Sequence, residues 1–332
     1  MKIAFFEIQD WEKIYLKKKL KSYDLEFYDK PLTEENIKSL ADLDILSVFI
    51  YSKIDKKIIE KFSNLKLITT RSTGFDHIDI KECKKREIGV CSVPFYGENT
   101  VAEHTFALIL SLSRNIHKAY VKTLNKDYSI DGLKGFDLKG KTIGVIGAGH
   151  IGLHVIRVAK SFGMNVLAYD VNQDNFLTEV LGFNYVPLEE VLAKSDIITL
   201  HTPYNKHTHH LINKETIKQI KKGAILINTS RGGVIDTEAL IEALDKKILA
   251  GVGLDVLEGE DLIKEEKQLL SDSKKAETFG QIVRDHILLN KDNVVFTPHI
   301  AFYSQEALER ILDATAENIN SFIAGNPQNM VG

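Results

Sequence analysis

Cysteine is scarce in this chain: only Cys83 and Cys91 occur among 332 residues. Two thiols cannot build a disulfide framework or, by themselves, a zinc site. Reduced packing residues in a cytoplasmic protein are the expectation. An excess of one charge is lacking too. With 43 Lys and Arg against 46 Asp and Glu, the formal charge is −3. That field is too weak to gather a polyanion, so nucleic acid is not an expected partner. The lysines at 17, 18, 19 and 21 are soon followed by Asp24 and Glu26 and read as a solvated helix face. No apolar run approaches the roughly 18 residues that span a bilayer, so no membrane partner is expected. The opening Met1-Lys2-Ile3-Ala4-Phe5-Phe6-Glu7 meets an acid before a signal-peptide core could form. The Asn228-Thr229-Ser230 sequon then reads as accidental.

What is present suits a globular enzyme of two domains, the default for this length. Short β-type runs alternate with helical stretches. In the first hundred residues strands are expected near Ile3–Phe6, Leu25–Tyr28, Ile45–Ile50, Leu67–Thr70 and Gly89–Cys91, with amphipathic segments such as Trp11–Lys21 and Lys56–Phe62 between them. Such alternation means parallel strands with covered faces. Glu103–Leu124 reads as one long, largely apolar helix, either buried or packed against a second subunit. From Lys141 a second series follows: Thr142–Ile146, Asn165–Tyr169, Ile197–His201, Ala224–Asn228, Gly251–Asp255 and Val294–Thr297. Six strands with helices between them match a doubly wound dinucleotide-binding domain. Glu306–Ile323 is helical and would pack on the first domain if the chain returns there. Asp261–Asn290 fits neither series and is expected to be an insertion. The fold class is therefore α/β, with domain limits at 1–100, 101–300 and 301–332.

Gly147, Gly149 and Gly152 form G-x-G-x-x-G where a strand ends and a helix starts. The first glycine allows a tight turn, the second a close approach to pyrophosphate, and the third close helix–strand packing. Free N–H groups at the helix start hold phosphate charge. The next strand ends at Asp170, an acid placed to accept hydrogen bonds from ribose hydroxyls. It also disfavours a 2′-phosphate, and Val171 and Asn172 bring no cation to hold one. The expected cofactor is NAD.

Three more strand ends carry polar groups: Asn228-Thr229-Ser230-Arg231-Gly232-Gly233, the run from Gly253 and Asp255 to Glu258 and Glu260, and Thr297-Pro298-His299. An arginine, a carboxylate and a histidine at the carboxyl edge of a parallel sheet suit hydride transfer to a 2-keto acid. Arginine grips the substrate carboxylate bidentately, histidine protonates the developing alkoxide, and the acid orients the imidazole and favours its protonated form. His207, His209 and His210 invite a zinc reading, but no Cys or acid lies beside them in sequence, and no metal is expected. His104 opens the long helix and is expected to cap or pack rather than catalyse.

As a set, these motifs resemble the D-isomer-specific 2-hydroxyacid dehydrogenases over nearly the whole chain. The resemblance implies two doubly wound parallel-sheet domains: a flavodoxin-like substrate domain made from both chain ends, and a Rossmann NAD-binding domain between them, with an active cleft at the hinges. It also implies a homodimer built through the coenzyme domain and a helix like Glu103–Leu124. Arg231 then resembles the arginine that holds the substrate carboxylate, Glu260 the acid paired with the histidine, and His299 the proton donor. The backbone around His150 and Ile151 resembles the pyrophosphate contact, Thr202, Pro203 and Thr208 resemble the loop beneath the cofactor, and Thr229, Ser230 and Asp255 line the nicotinamide side. Ser72, Thr73 and Gly74 resemble a loop whose N–H groups also bind the carboxylate. Tyr96 and the pair Phe302-Tyr303, with the long insertion, resemble the branch that interconverts pyruvate and D-lactate. A bulkier 2-keto acid, such as phenylpyruvate or a branched-chain acid, remains open. So does a non-catalytic NAD-sensing corepressor, against which an intact Arg231, Glu260 and His299 argue.

Overall fold

The computed structural model describes residues 1–37, 40–259 and 276–331. The chain divides into two units, Met1–Tyr96 with Tyr303–Gly332, and Gly97–Phe302.

In the first unit β1 (Lys2–Phe5), β2 (Asp24–Phe27), β3 (Ile45–Val48), β4 (Leu67–Thr70) and β5 (Gly89–Cys91) form one parallel sheet in the order β2-β1-β3-β4-β5. This is the flavodoxin-like order. Side chains alternate across a strand, so β1 serves two cores. Ile3 and Phe5 pack with Leu16 and Leu20 on one face, and Ala4 and Phe6 pack with Ile58, Ile59 and Cys83 on the other. The first face is closed by α1 (Asp10–Lys19) and by the last helix, α11 (Gln305–Ile323), which brings Leu312, Ala316 and Ile319. The returning C-terminal helix therefore packs where its pattern places it. Two short helices, α2 (Lys56–Ile59) and α3 (Ile80–Lys85), cover the second face. Cys83 and Cys91 are free and buried, and burial pushes each thiol up to about 11. Both remain neutral packing groups at neutral pH.

The second unit opens with α4 (Glu98–Ser113) and α5 (Ile116–Leu124). The single helix read over Glu103–Leu124 is thus corrected. It starts a turn and a half earlier and breaks at Arg114–Asn115, where Asn115 takes the left-handed conformation at φ 51°. Asn tolerates that region, so the break needs no glycine. α4 is buried, whereas α5 buries no residue and exposes Ile116, Tyr120, Val121 and Leu124. β6 (Thr142–Ile146), α6 (His150–Ser161), β7 (Asn165–Tyr169), α7 (Asn175–Leu181), β8 (Asn184–Tyr185), α8 (Leu188–Lys194), β9 (Ile197–Leu200), β10 (Ala224–Asn228), α9 (Thr237–Asp245), β11 (Leu249–Leu254), α10 (Ala276–Leu289) and β12 (Val294–Phe296) follow. The parallel sheet runs β12-β11-β10-β9-β6-β7-β8, reversing direction between β6 and β9. It holds one strand more than the six expected, because β8 is only two residues long and carries no readable period.

The supposed insertion at Asp261–Asn290 is also corrected in its second half. α10 is the crossover that joins parallel strands β11 and β12, which a tight turn cannot link. Its Leu288 is buried in the core that also holds Leu240, Leu244 and Leu254.

α10 also carries Asp285, which is 0% exposed. Its Oδ1 accepts from Gln281 Nε2 at 3.0 Å, and its Oδ2 has no partner among the described residues. Burial pushes this carboxyl from 3.8 up to about 7. The folded chain therefore holds more protons than the unfolded one between those values. The stability this group confers is complete below 3.8 and is lost as pH rises through 7. The full shift corresponds to roughly 4 kcal/mol, and water entry reduces it to about 2 kcal/mol. Asp285→Asn should accordingly gain stability over wild type as pH rises from about 5 to 8, read by urea unfolding. Parallel pH dependence in the two proteins would disprove the buried-acid account.

Candidate active site

Every polar segment singled out in the second unit leaves its strand at the same carboxyl edge of the sheet. Gly147 follows β6, Asp170 follows β7, His201 and Thr202 follow β9, Thr229 follows β10, Asp255 follows β11 and Thr297 follows β12. In open α/β sheets this edge, beside the reversal of strand order, is where ligands bind.

The three glycines do separate jobs. Gly147 has φ +95°, and a Cβ there would lie 2.6 Å from His201 O, across the reversal point. A Cβ on Gly152 would meet Gly147 O at 2.0 Å, so only hydrogen allows α6 to sit so close to β6. A Cβ on Gly149 would meet nothing within 4 Å. That glycine caps α6 in open space and brings no side chain of its own to the first-turn N–H groups. An anion can approach them. Two buried atoms beside the turn, His201 Nδ1 and Thr202 Oγ1, have no partner among the described residues. Burial pushes His201 down to about 3, keeping it neutral, while its other nitrogen lies 2.9 Å from Thr199 Oγ1. The open cradle and the orphaned polar atoms fit a dinucleotide. Thr208 spends its hydroxyl within the loop, donating to Pro203 O at 2.6 Å.

Asp170 is the first residue beyond β7. Its Oδ2 accepts from Ala148 N at 2.7 Å and its Oδ1 from Asn172 N at 2.8 Å, so it also braces the glycine turn. A second sp² lone pair on each oxygen remains for a ribose hydroxyl. Facing a 2′-phosphate instead, a like-charge pair about 4 Å apart costs on the order of 4 kcal/mol at an effective dielectric near 20. Solvent lowers that figure, and the expected preference for NADH over NADPH is about 10²-fold or more in kcat/KM. Asp170→Ala should shrink the preference mainly by weakening NADH. Equal use of both coenzymes by the wild type would contradict this placement.

Beyond β10, Asn228 is fully buried, and its amide organises the loop. Its Oδ1 accepts from Ser230 N at 3.0 Å and Ser230 Oγ at 2.8 Å, and its Nδ2 donates to Arg231 O at 3.0 Å. Thr229 faces inward, 3.0 Å from Thr105 Oγ1. Arg231 anchors one N–H on Ser230 O at 2.8 Å, and no carboxylate among the described residues pairs with its half-buried guanidinium.

Asp255 is 1% exposed, and both of its oxygens serve the turn that carries His299. Oδ1 accepts from Thr297 Oγ1 at 2.5 Å and Ile300 N at 2.9 Å, and Oδ2 accepts from Ala301 N at 2.8 Å. His299 donates its own N–H to Asp255 O at 2.8 Å and adopts φ 55°. A non-glycine residue held there is strained and must be fixed by its surroundings. Asp255 is thus the clamp of that turn. His104, on α4, reaches the same clamp, 2.9 Å from Thr297 Oγ1 and 3.5 Å from Asp255 Oδ1. The ring of Phe302 meets His299 edge-on at 6.4 Å.

Glu260 lies outside the described residues. Its competitor Glu258 is occupied by His210 Nε2 at 2.5 Å and Thr237 Oγ1 at 3.2 Å. In the first unit Arg71, 2% exposed, ties the β4 end to Phe6 O, Glu7 O and Ser47 Oγ. Thr73 Oγ1 donates to Val93 O, and Ser72 Oγ to Gly74 O. The Thr73 and Gly74 N–H groups have no partner among the described residues. Arg310 holds Tyr96 O at 2.6 Å, and Gln9 donates to Tyr303 Oη at 2.8 Å.

The D-isomer specific 2-hydroxyacid dehydrogenase NAD-binding domain matches residues 106–301. The chain belongs to that family. D-lactate dehydrogenase of Escherichia coli is 36% identical over 98% of both chains. The crystal structure of Aquifex aeolicus D-lactate dehydrogenase with NAD and lactic acid superposes with a TM-score of 0.88, at 38% identity, covering 99% of this chain and 98% of that one. D-2-hydroxyisocaproate dehydrogenase superposes at 0.85, 32% identical, covering 100% and 99%. This dehydrogenase is an NAD-dependent oxidoreductase with two parallel-sheet α/β domains. No helix among its described residues is long and apolar enough to cross a membrane.

Proposed function

We propose that this dehydrogenase interconverts pyruvate and D-lactate. The observation that carries the reading is the pairing of two strand-end groups: Arg231 with its fork unclaimed by any described carboxylate, and His299 on a turn imposed by Asp255. NADH, when bound, supplies the hydride. Gly147, Gly149, His150, Ile151, Gly152 and Asp170 would hold it, with Thr202, Pro203 and Thr208 beneath it and Thr229, Ser230 and Asp255 on its nicotinamide side. Arg231 grips the substrate carboxylate through its planar fork. His299 gives its proton to the carbonyl oxygen during reduction and takes it back from the hydroxyl in reverse. Glu260 pairs with the imidazole. The engagement of Glu258 by His210 and Thr237 supports Glu260 over Glu258 for that part. Thr73 and Gly74 bring N–H donors suited to a carboxylate, and Ser72 and Tyr96 are assigned with them to substrate recognition.

The relatives named for lactate support pyruvate, and the one named for 2-hydroxyisocaproate keeps a bulkier acid as the second reading. Comparing kcat/KM on pyruvate, phenylpyruvate and 2-ketoisocaproate separates them. Pyruvate should lead, and a clear lead for either bulky acid would replace this reading. The exposed apolar side chains of α5 support a homodimer. Light scattering should give about twice the 37.4 kDa chain mass, and a monomer would refute it.

A further inference from the structure

Two residues that the chemistry above does not use, His210 and Glu258, lie 48 positions apart and meet at 2.5 Å. Their surroundings say what the contact holds. Immediately after Arg231, a Cβ on Gly232 would lie 1.9 Å from Leu257 O and 2.4 Å from Glu258 N, so the arginine segment rests directly on the Leu257–Glu258 backbone. The next residue, Gly233, accepts from His210 N at 2.9 Å, and a Cβ there would meet the Tyr204 ring at 2.7 Å. Tyr204 Oη in turn lies 3.1 Å from His209 Nδ1, and the His209 ring stacks on His210 at 3.9 Å. His210 itself is held at φ 48°, a conformation a histidine keeps only when its contacts insist. On its far side Glu258 accepts from Thr237 Oγ1, and its carbonyl accepts from Gln281 Nε2 at 3.0 Å. The His210–Glu258 bond therefore closes a ring around Gly232–Gly233, joining the loops after β9, β10 and β11.

We propose that His210 and Glu258 form a positioning pair that fixes Arg231 for the substrate carboxylate. The proposal rests on Arg231 being that carboxylate's ligand. It does not depend on which 2-keto acid is preferred. A guanidinium recognises a carboxylate by planar, two-point geometry, so a small rotation of its backbone costs binding more than it costs the chemical step. Neither residue touches the reacting atoms in this account.

The test compares His210→Leu with His210→Gln, using the 2-keto acid that the wild type reduces fastest. Both replacements face the same left-handed backbone, but only glutamine can still donate to Glu258. His210→Leu should raise KM for the keto acid about tenfold or more while kcat changes less than about threefold and KM for NADH stays within about twofold. His210→Gln should recover most of the loss. Glu258→Ala should match His210→Leu, and the double variant should be no worse than either single one. An unchanged keto-acid KM in His210→Leu overturns the proposal. So does equal damage in the leucine and glutamine variants, or losses that follow thermal stability rather than KM. A wild type that prefers a bulky acid would refute the pyruvate reading and leave this comparison intact.

Discussion

Replacing His299 by Gln should leave NADH binding intact and lower kcat about 10²–10⁴-fold, the usual worth of a positioned general acid. The expectation is specific because the turn does not depend on the imidazole. Asp255 grips the N–H groups of Ile300 and Ala301 and the Thr297 hydroxyl, and its carbonyl takes the N–H of residue 299. Glutamine therefore inherits the same backbone and lacks only the imidazole that can pass a proton to the substrate oxygen. NADH affinity by fluorescence and steady-state kcat between about pH 5 and 8 provide the two readings. Near-wild-type turnover over that range would remove His299 as proton donor.

Arg231→Lys should fail differently. The charge survives, but a lysine ammonium cannot keep one anchor on Ser230 O and also present a planar fork to a carboxylate. Charged hydrogen bonds contribute roughly 1.5–3 kcal/mol each, so losing one or two should lower kcat/KM by about 10²-fold, chiefly through KM. Asn228 and Gly232 hold the loop backbone independently of the side chain, which keeps the comparison free of gross unfolding. A kcat/KM within about twofold of wild type would mean that Arg231 does not bind the carboxylate.

Much of this architecture can be read from local pattern. All five strands of the first sheet are legible because their apolar residues serve two faces, and the glycine turn is legible because its three positions have distinct steric duties. The failures share a cause. β8 is too short to show a period, and Asn115 breaks a helix whose composition favours continuity. The helical half of the 261–290 segment follows from the need to cross between parallel strands, a constraint visible only once β11 and β12 are paired. In the site, Arg231, Asp170 and His299 stand out by type and position at strand ends. The groups that hold them do not. Asn228 reaches Arg231 only because a loop folds back, His104 meets Thr297 across 193 positions, and Glu258 finds His210 across 48. An amide at the end of a wholly buried strand was the one local signal, since such a group must find both a donor and an acceptor nearby.

The most direct measurement is oxidation of NADH in the presence of pyruvate, followed by determining the handedness of the lactate produced. The account predicts saturable, stoichiometric NADH consumption and lactate that is the D enantiomer. L-lactate, a racemic product, or no oxidation of NADH with pyruvate at saturating concentration would contradict it.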